Sequence, residues 1–357
     1  MSERVALLVM GVHRSGTSAL TRVLSLLGAG LPSELLGPAR GNPRGHWEPK
    51  RLVALDDEIF RTFGEDWWDP AAIPPDWFDG AEAAAFAVRI AALIAEEYGD
   101  QPLIVIKDPR LCRLAPLFFT ALNALGMRPR AILPLRFPGE VIRSISARDE
   151  LSPEITELLW LRHMIEAEFH SRRCPRACTS FDGLLADWRG ETDRIAHATD
   201  LEWPVPPDTV AAGIETTLVG SLRHFDPASA APVGPLVQRV WDAAQRALAG
   251  DEAAARTEFD AVRAVIDELD RLGAARHTAL RDAQATAARE QTRLTEALAA
   301  ASAQIARLHV APARRVAEIA ALQATIDSLQ GKLDDVLASP SWRVTAPLRK
   351  VAGWVGS

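Results

Sequence analysis

The chain has few of the features that mark disulfide-bonded, nucleic-acid-binding or membrane-spanning proteins. Its 357 residues include only three cysteines, an odd number without paired CxxC spacing, which argues against a disulfide framework and a structural zinc site. Basic residues number 40 against 47 acidic ones, so the net charge of -7 argues against nucleic-acid binding through counterion release. No apolar run reaches the roughly eighteen residues that a membrane span needs. We therefore expect a protein of a reducing compartment, in the cytoplasm.

The first part of the chain, residues 1–225, has the pattern of an α/β domain. Short apolar runs alternate there with longer helical patterns, which is typical of a parallel sheet flanked by helices. The stretch 32–80 is rich in proline and tryptophan, so it is predicted to lack long regular elements and is a candidate lid. The expected strands are 5–10, 103–106 and 131–135, and the expected helices are 17–27, 81–97, 114–125, 138–147 and 153–170.

The composition changes after residue 225. Residues 226–240 are predicted to form a linker, and residues 241–338 a helical region rich in Ala, Arg and Glu. Apolar residues recur there in steps of three and four, as the seam of a coiled coil requires, and Pro312 and Arg315 are expected to break it. The seam positions are Leu294, Leu298, Ala301, Ile305, Leu308, Ile319, Leu322, Ile326, Leu329, Leu333 and Val336.

Two interpretations of this helical region stay open. It either joins copies of the chain or binds a partner helix through the seam, or it packs on the globular domain. The last residues, 339–357, are basic and amphipathic, so they either contact a membrane surface or a partner, or form a frayed end.

The sharpest motif is GVHRSGTS, residues 11–18, between the first apolar strand and the first helix. Glycines let backbone amides turn toward an anion, and the amino terminus of the helix adds the positive end of its dipole. Arg14 adds a fixed charge, and Ser15, Thr17 and Ser18 supply hydroxyl groups. The motif predicts an oxyanion site, and the alternative is a plain strand-to-helix turn of small residues.

Gly11 and Gly16 are spaced as in the Walker A loop, GxxxxGK[ST]. Thr17 stands where that loop has the lysine that reaches the terminal phosphates. Nucleotide triphosphate hydrolysis is therefore disfavoured. A nucleotide or sugar kinase, which would need this lysine and a magnesium-binding acid, is kept as a second interpretation.

A second anion-binding pattern lies in LRFPGEVIRSIS. Arg136 ends an expected strand and Ser144 lies about two turns into the helix that starts at Pro138, so both could converge on one phosphate. The sequence thus combines a glycine loop that lacks the Walker A lysine with the pattern R-x-P-x5-S far along the chain. This combination resembles that of the sulfotransferases that use 3'-phosphoadenosine 5'-phosphosulfate (PAPS). The resemblance covers most of residues 1–225, implies a fold like that of the P-loop enzymes, and is closer to the bacterial and tyrosylprotein branches.

This resemblance implies roles for the motif residues. Residues 14–17 would bind the 5'-phosphosulfate end of the donor, with Ser18 as a further cofactor-binding candidate, and Arg136 and Ser144 would bind its 3'-phosphate. The sequence IKDPR resembles the KDP element of the tyrosylprotein branch, so Lys107 joins Arg14 as a candidate for stabilising the transferring group. The alternative for Lys107 is a solvated lysine or an ion pair with Asp108.

Sulfuryl transfer needs positioning, charge stabilisation and a base for the acceptor hydroxyl, and no metal is expected. Related enzymes have a carboxylate one loop after the first helix, which makes Glu48 in NPRGHWEPK the candidate base and His46 its rival. The alternative for Glu48 is a loop carboxylate paired with Lys50 or Arg51.

Several further residues receive weaker predictions. Asp56 and Asp57, on the helical segment after Glu48, either orient acceptor hydroxyls or are surface carboxylates, and the second interpretation is preferred. Arg223 is a weak candidate phosphate ligand. The four tryptophans of the proline-rich stretch either stack on sugar faces or wedge that stretch onto the core. These tryptophans are Trp47, Trp67, Trp68 and Trp77.

The sequence therefore predicts a bacterial, cytoplasmic, PAPS-dependent sulfotransferase that acts on a hydroxyl group. The tail pattern S-W-R-x-T-x-P-L-R resembles tails that follow coiled coils in bacterial surface-polysaccharide glycosyltransferases and their neighbours. A glycan is accordingly the preferred acceptor, and contact with the inner face of the membrane is expected if the tail binds lipid. A third interpretation is a catalytically silent adaptor that binds an adenosine bisphosphate and recruits partners through its coil.

Overall fold

The computed structural model describes residues 3–37, 45–218, 232–308 and 316–344, and the chain divides after Ile266 into two compact units. The first unit contains a parallel sheet of four strands in the order β2-β1-β3-β4. The strands are β1 (Arg4–Val9), β2 (Leu103–Lys107), β3 (Met127–Leu135) and β4 (Arg176–Ser180). The helices are α1 (Thr17–Leu26), α2 (Lys50–Thr62), α3 (Ala81–Tyr98), α4 (Leu111–Ala124), α5 (Pro138–Asp149), α6 (Pro153–Ser171), α7 (Phe181–Ala186), α8 (Trp188–Ala198), α9 (Pro207–Thr217), α10 (Pro235–Leu248), α11 (Glu252–Leu308), α12 (Val316–Ala338) and α13 (Pro340–Val344), with a 3-10 turn at Pro75–Asp79.

Helices cover both faces of the sheet because both faces of its central strand are apolar. Ala6 and Leu8 of β1 pack in a core with α3 and α4, whereas Leu7 and Val9 pack in a core with α1. Alternate side chains of a strand point to opposite faces, so β1 can supply both cores only as a buried strand. The predicted α/β fold with a parallel sheet flanked by helices is confirmed.

The strand with Pro134 is also present, and it is longer than predicted. The pairing of β3 with β1 ends at Ile132, and Pro134 lies two residues beyond that point. The missing N–H of proline therefore removes no hydrogen bond from the ladder with β1.

The prediction that stretch 32–80 lacks long regular elements is wrong. α2 occupies 13 residues within it, beginning directly after Pro49. No proline falls inside this helix, and its apolar residues Leu52, Leu55, Ile59 and Phe60 recur with helical period and are buried. The prolines flank the helix rather than interrupt it.

The predicted boundary of the first domain is also wrong. α10 begins inside the stretch 226–240 that was predicted to be a linker, and Val237 and Val240 are fully buried in a core with α6. Phe259 and Val262 of α11 join the same core, so the first unit extends to Ile266. An amphipathic helix completes the domain where composition alone indicated a separate region. Arg223 lies outside the described residues.

In the second unit, burial follows the predicted seam. On α12 the six seam positions are at least partly buried and every other residue is exposed, and on α11 Leu294 and Ala301 are buried. The charge of Lys332 on α12 acts on Glu290 of α11, so these two positions of the helices are near each other. The joining of copies through this seam stays a prediction.

Two predicted features of the carboxyl-terminal region lie outside the described residues: the break at Pro312 and Arg315, and the part of the basic tail after residue 344. Among the helices that are described, none is both long and apolar enough to cross a membrane.

We predict that a chain shortened to residues 1–266 keeps the fold of the first unit, whereas a chain shortened to 1–225 does not. The burial of Val237 and that of Val240 each contribute roughly 1.5–3 kcal/mol to the free energy of unfolding. Together they are a large part of the roughly 5–15 kcal/mol by which a typical domain is stable. Thermal unfolding followed by circular dichroism checks this. Equal melting temperatures for the two fragments would contradict the assignment of α10 to the first unit.

Candidate functional site

The residues singled out from the sequence meet at the carboxyl edge of the parallel sheet. β1 ends at Val9 and leads into the glycine loop, β2 ends at Lys107, and β3 ends at Leu135, next to Arg136. β1 lies between β2 and β3, so the three strand ends are neighbours. This edge is where ligands of open α/β sheets usually bind.

The loop after β1 has two residues in the left-handed conformation, Arg14 with φ 69° and Gly16 with φ 81°. A Cβ atom on Gly16 would lie 2.3 Å from the ring of Phe181, and one on Gly11 would lie 2.7 Å from Pro134. Glycine is therefore required at both positions. Arg14 is not a glycine, so its conformation costs about 1 kcal/mol that its surroundings must offset.

The hydroxyl groups of this motif differ in their surroundings. Ser15 and Thr17 are buried, and the Thr17 carbonyl accepts a hydrogen bond from the Thr21 hydroxyl, at 2.8 Å. Ser18, on the first turn of α1, donates to the backbone carbonyl of His46 at 3.1 Å. Ser18 therefore links the loop motif to the segment that contains the candidate base.

Arg136 connects β3 to this loop. Its Nη1 donates to the Arg14 carbonyl at 3.0 Å, and its Nε and Nη2 donate to one oxygen of Glu140 at 2.8 and 2.6 Å. Its guanidinium lies over the Phe181 ring, 4.6 Å from the ring centre. The Nε of Arg14 in turn donates to the Ser144 hydroxyl at 2.8 Å. Both predicted anion-binding motifs thus form one cluster.

Positive charge accumulates around Arg14. Burial lowers the pKa of its guanidinium, and the charges of Arg148 and Arg136 lower it further, with Asp149 acting in the opposite direction. Asp149 also accepts a bidentate pair of hydrogen bonds from Arg148, from Nε to Oδ1 at 2.9 Å and from Nη2 to Oδ2 at 2.7 Å. The neighbouring guanidiniums of Arg148 and Arg136 make this part of the loop a place where an anionic ligand would be stabilised.

Lys107 and Glu48 form a buried ion pair beside the loop, and each residue is only 3% exposed. Lys107 Nζ also donates to the His46 carbonyl at 3.0 Å and to the Ser18 hydroxyl at 3.4 Å. An ion pair removed from water needs such additional hydrogen bonds to offset the loss of hydration. The candidate base and the candidate cation therefore lie together at the start of α1.

The alternative pairing considered for Glu48 is wrong. Lys50 contacts Glu34 at 3.3 Å instead, and Arg51 contacts Glu96 at 2.5 Å, both on the surface. The two basic residues follow Glu48 in sequence, but their side chains point away from it because they open α2 on its outer side.

His46, the rival base, has a different position. Its imidazole is half-buried and its pKa is lowered mainly by burial and also by the charge of Lys107, although Glu48 acts in the opposite direction. Its backbone carbonyl accepts hydrogen bonds from Ser18 and Lys107. The main chain of His46 is thus part of the site.

Asp56 is a residue of the site that the sequence analysis placed wrongly on the surface. It is fully buried, and among the described residues no N–H or O–H group donates to either of its carboxyl oxygens. The carboxyl of Asp108, the residue after Lys107, lies within hydrogen-bonding reach. Burial, followed by the charge of Asp108, raises the pKa of Asp56 well above its ordinary range. The raised pKa favours the protonated form of Asp56, which could donate to the neighbouring Asp108 carboxylate.

Arg110 completes this acidic group. It donates from its backbone N–H and from Nη1 to Asp108, at 2.9 and 3.0 Å, and from Nε to Asp57, at 2.6 Å. Asp108 therefore pairs with Arg110 and not with Lys107, so that alternative for Lys107 is wrong as well. The helical period of α2 could have indicated the burial of Asp56, because Asp56 lies on the same stripe as Leu52 and Ile59.

Two further histidines lie near the loop. The His13 ring packs against Trp67 with 4.4 Å between ring centres and a tilt of 54°, and the centre of the His163 ring lies 6.4 Å from that of His13. Burial lowers the pKa of His13 well below its ordinary value and that of His163 to about 3, so both are neutral. The Nε2 atoms of both rings are buried without a hydrogen-bond partner among the described residues.

Trp67 belongs to the segment after α2, which two buried arginines hold in place. Arg113 donates to the Asp69 carbonyl at 2.7 Å, and Arg162 donates to the Pro70 carbonyl at 3.0 Å. The four tryptophans have different surroundings. Trp77 packs edge-on against Phe63 and Phe78 and so holds this stretch against the core. Trp68 packs partly on the core of α5 and α6. Trp47 lies under the guanidinium of Arg22, and Trp67 faces His13.

No protein-family model matches the chain, and no curated protein matches it in sequence. Among solved structures, the chain is similar to a sulfotransferase domain from a Synechococcus olefin synthase, with 16% identity over 68% of this chain and 89% of that chain and a TM-score of 0.36. It is also similar to a sulfotransferase domain from the curacin biosynthetic pathway, with 15% identity over 66% of this chain and 95% of that chain and a TM-score of 0.38. The chain is similar as well to a sulfotransferase from Mycobacterium tuberculosis, with 13% identity over 67% of this chain and 77% of that chain and a TM-score of 0.38. These values leave the function of this chain to be argued from its own residues.

We predict that Asp56→Asn gains stability relative to the parent chain as the pH rises. A carboxyl whose pKa is raised by folding contributes stability fully below its unfolded pKa and loses it as the pH rises through the folded pKa. Asparagine can still donate to Asp108 and has no proton to lose. The difference in free energy of unfolding between the variant and the parent chain therefore grows by up to about 1.4 kcal/mol per pH unit, between the unfolded and the folded pKa of Asp56. Melting temperatures between pH 5 and pH 8.5 measure it.

The exposed variant Asp76→Asn corrects this measurement for the change in net charge. A constant difference between Asp56→Asn and the parent chain across that pH range would show that Asp56 is ionised throughout.

Proposed function

We propose that this chain is a sulfotransferase that moves a sulfuryl group from PAPS to an acceptor hydroxyl, with a carbohydrate hydroxyl as the preferred acceptor. The observation that supports it most is the hydrogen bond of 2.8 Å between Arg14 Nε and Ser144 Oγ. This bond joins two anion-binding motifs that are 130 residues apart, and it lies at the same sheet edge as the ion pair of Lys107 and Glu48. A donor with anionic groups at both ends needs two such motifs together.

The residues present suit the chemistry of this transfer. The acceptor oxygen forms a bond to sulfur, the bond between sulfur and the bridging oxygen breaks, and its electron pair stays on the 5'-phosphate. Lys107 would stabilise the negative charge that develops on the sulfuryl and bridging oxygens. Glu48 would accept the proton of the acceptor hydroxyl. Their ion pair in the free protein implies that donor binding draws Lys107 toward the anion and so leaves the Glu48 carboxylate available.

A nucleotide or sugar kinase is the second candidate, and one observation favours it. Lys107 brings an ammonium group to within 3.4 Å of Ser18, at the start of α1, so β2 supplies a lysine to a loop whose own sequence lacks one. The two candidates differ in their need for magnesium, because phosphoryl transfer from ATP depends on the metal.

We predict that adenosine 3',5'-bisphosphate (PAP), the desulfated donor, stabilises the protein without magnesium. A ligand at a hundredfold excess over its Kd stabilises the folded state by roughly 2.7 kcal/mol, which raises the Tm by several degrees. Thermal unfolding with PAP and EDTA, compared with ATP and magnesium, measures this. Stabilisation by ATP and magnesium alone would support the kinase instead.

We predict that Glu48→Gln lowers the rate of PAP formation from PAPS by roughly 100- to 10,000-fold, as loss of a general base does. Its affinity for PAP should equal or exceed that of the parent chain, because the carboxylate acts on the acceptor and, once removed, no longer competes with the donor for Lys107. The assay supplies labelled PAPS and an extract of bacterial glycans as the acceptor.

His46→Gln is the matched variant, since its backbone contacts are unchanged. Loss of turnover in His46→Gln but not in Glu48→Gln would assign the base to His46. Binding of PAP by the parent chain without any turnover of PAPS on glycan, lipid or peptide extracts would indicate the silent adaptor.

A further inference from the structure

The tautomer of His163 is fixed by its own helix, α6. Its Nδ1 lies 2.9 Å from the Leu159 carbonyl oxygen, which can only accept a hydrogen bond, so Nδ1 carries the proton of the neutral ring. Nε2 therefore has a lone pair that can accept. His163 is 1% exposed, and no N–H or O–H group of the described residues donates to this Nε2. Buried polar atoms normally have a partner, so the missing partner of His163 is a hydrogen-bond donor.

His13, in the loop after β1, has a second atom of this kind. Its Nε2 is also buried without a hydrogen-bond partner in the part of the chain that the structure describes. The centres of the His13 and His163 rings lie 6.4 Å apart. Two hydrogen bonds of about 2.9 Å that meet at one oxygen atom connect nitrogens up to about 6 Å apart. The spacing of the two rings therefore suits one small polar group that contacts both.

The chemistry of the two rings selects a hydroxyl group. An anion has no proton to give to His163 Nε2. A metal centre is disfavoured, because the described residues contain no group of three or more His, Cys, Asp or Glu side chains that could hold one. A hydroxyl can donate to His163 and, through its oxygen, accept from His13.

The charges around the rings also disfavour a cation. Four basic side chains act on one or both rings, and Asp108 opposes them at His163. These basic residues are Lys107, Arg110, Arg113 and Arg148. A neutral ligand avoids the repulsion that a cationic one would meet there.

Trp67 forms a wall beside the pair. Its ring centre lies 4.4 Å from that of His13, and the Arg148 guanidinium lies over the indole at 5.6 Å from the ring centre. The hydrogen bond from Arg113 to the Asp69 carbonyl, at 2.7 Å, anchors the segment that contains Trp67. A fixed aromatic wall next to a few polar atoms is the usual composition of a small-molecule site.

We propose that His13 and His163 bind a hydroxyl group of the acceptor that does not itself react, and that Trp67 is the wall on which the acceptor packs. The inference rests on the proposed function, since it concerns the acceptor of the same transfer. The charge of Lys107 acts on His13, so the histidine pair lies near the ion pair of Lys107 and Glu48. Glu48 would take the proton of the reacting hydroxyl while the histidines hold another. The acceptor is therefore a molecule with at least two hydroxyl groups, as a carbohydrate is.

The experiment measures the turnover of labelled PAPS against the amount of acceptor extract, using the glycan, lipid or peptide extract that the parent chain sulfates. His163→Asn keeps an amide that can donate to the Leu159 carbonyl and removes the acceptor at the ε position. His163→Gln keeps an acceptor oxygen at that position. We expect His163→Asn to raise the half-saturating amount of extract by roughly 5- to 100-fold, as loss of a hydrogen bond to a buried group does. His163→Gln should stay within about threefold of the parent chain.

Two further variants complete the set. His13→Asn should also raise the half-saturating amount of extract, and it decides the proposal where His163→Asn does not fold. His197→Asn, which changes an exposed histidine of α8, is the matched control and should leave the amount unchanged. The maximal turnover and the Kd for PAP should stay within about threefold of the parent chain in every variant, because the pair acts on the acceptor. Melting temperatures show which variants are folded.

An unchanged half-saturating amount in the folded His163→Asn and His13→Asn variants would overturn the inference and would indicate that the pair binds only a water molecule. An equal weakening of PAP binding would overturn it as well, since the pair would then support the loop as a whole. A loss in His163→Gln as large as in His163→Asn would contradict the role of the ε position. All three results leave the proposed function standing. Absence of turnover by the parent chain on every extract is a separate result, which would refute the proposed function and this inference with it.

Discussion

The site depends on one long-range interaction, the contact of Arg136 with the loop after β1. A guanidinium at the end of β3 donates to the Arg14 carbonyl and packs on Phe181, which in turn packs on Gly16. The parallel sheet makes this possible, because β1 and β3 are neighbours whose carboxyl ends lie side by side. This contact holds the carbonyl of the left-handed Arg14 shortly before the start of α1, and the Arg14 side chain in turn reaches Ser144 of α5. Without it, the loop would be free to adopt conformations that suit its non-glycine residues better.

The second constraint is the buried pair of Lys107 and Glu48, which brings a lysine from the neighbouring strand β2 to the start of α1. The buried strand β2 fixes the backbone of Lys107, so its side chain reaches the start of α1 from a constant position. A lysine within the loop would change position whenever the loop moved. Glu48 is held by the same ammonium group, so both candidate groups are positioned before any ligand arrives. Such preorganisation is how transfer reactions with little covalent chemistry are accelerated.

The sequence predicted what is local and missed what is set by tertiary packing. Hydrophobic periodicity indicated β1, β2 and most helices because 2.0- and 3.6-residue periods are visible in a short window. The short strand β4 has only two fully buried residues in five and gives no such signal. Glu48 has basic residues beside it in sequence, yet its partner comes from β2, 59 residues away. Partners of this kind depend on the strand order, and local spacing does not contain the strand order.

Asp56 shows how such a missed residue affects the whole site. Around the ends of β2 and α2 lie two cations, Lys107 and Arg110, and three paired carboxylates, so this part of the site is already slightly negative. An ionised Asp56 would add a further negative charge, without hydration or any donor to stabilise it, beside the place where an anionic donor would bind. A protonated Asp56 would add no such charge and would leave Arg110 to balance Asp108 and Asp57. The burial that raises the pKa of Asp56 therefore also opposes the build-up of negative charge at this end of the sheet.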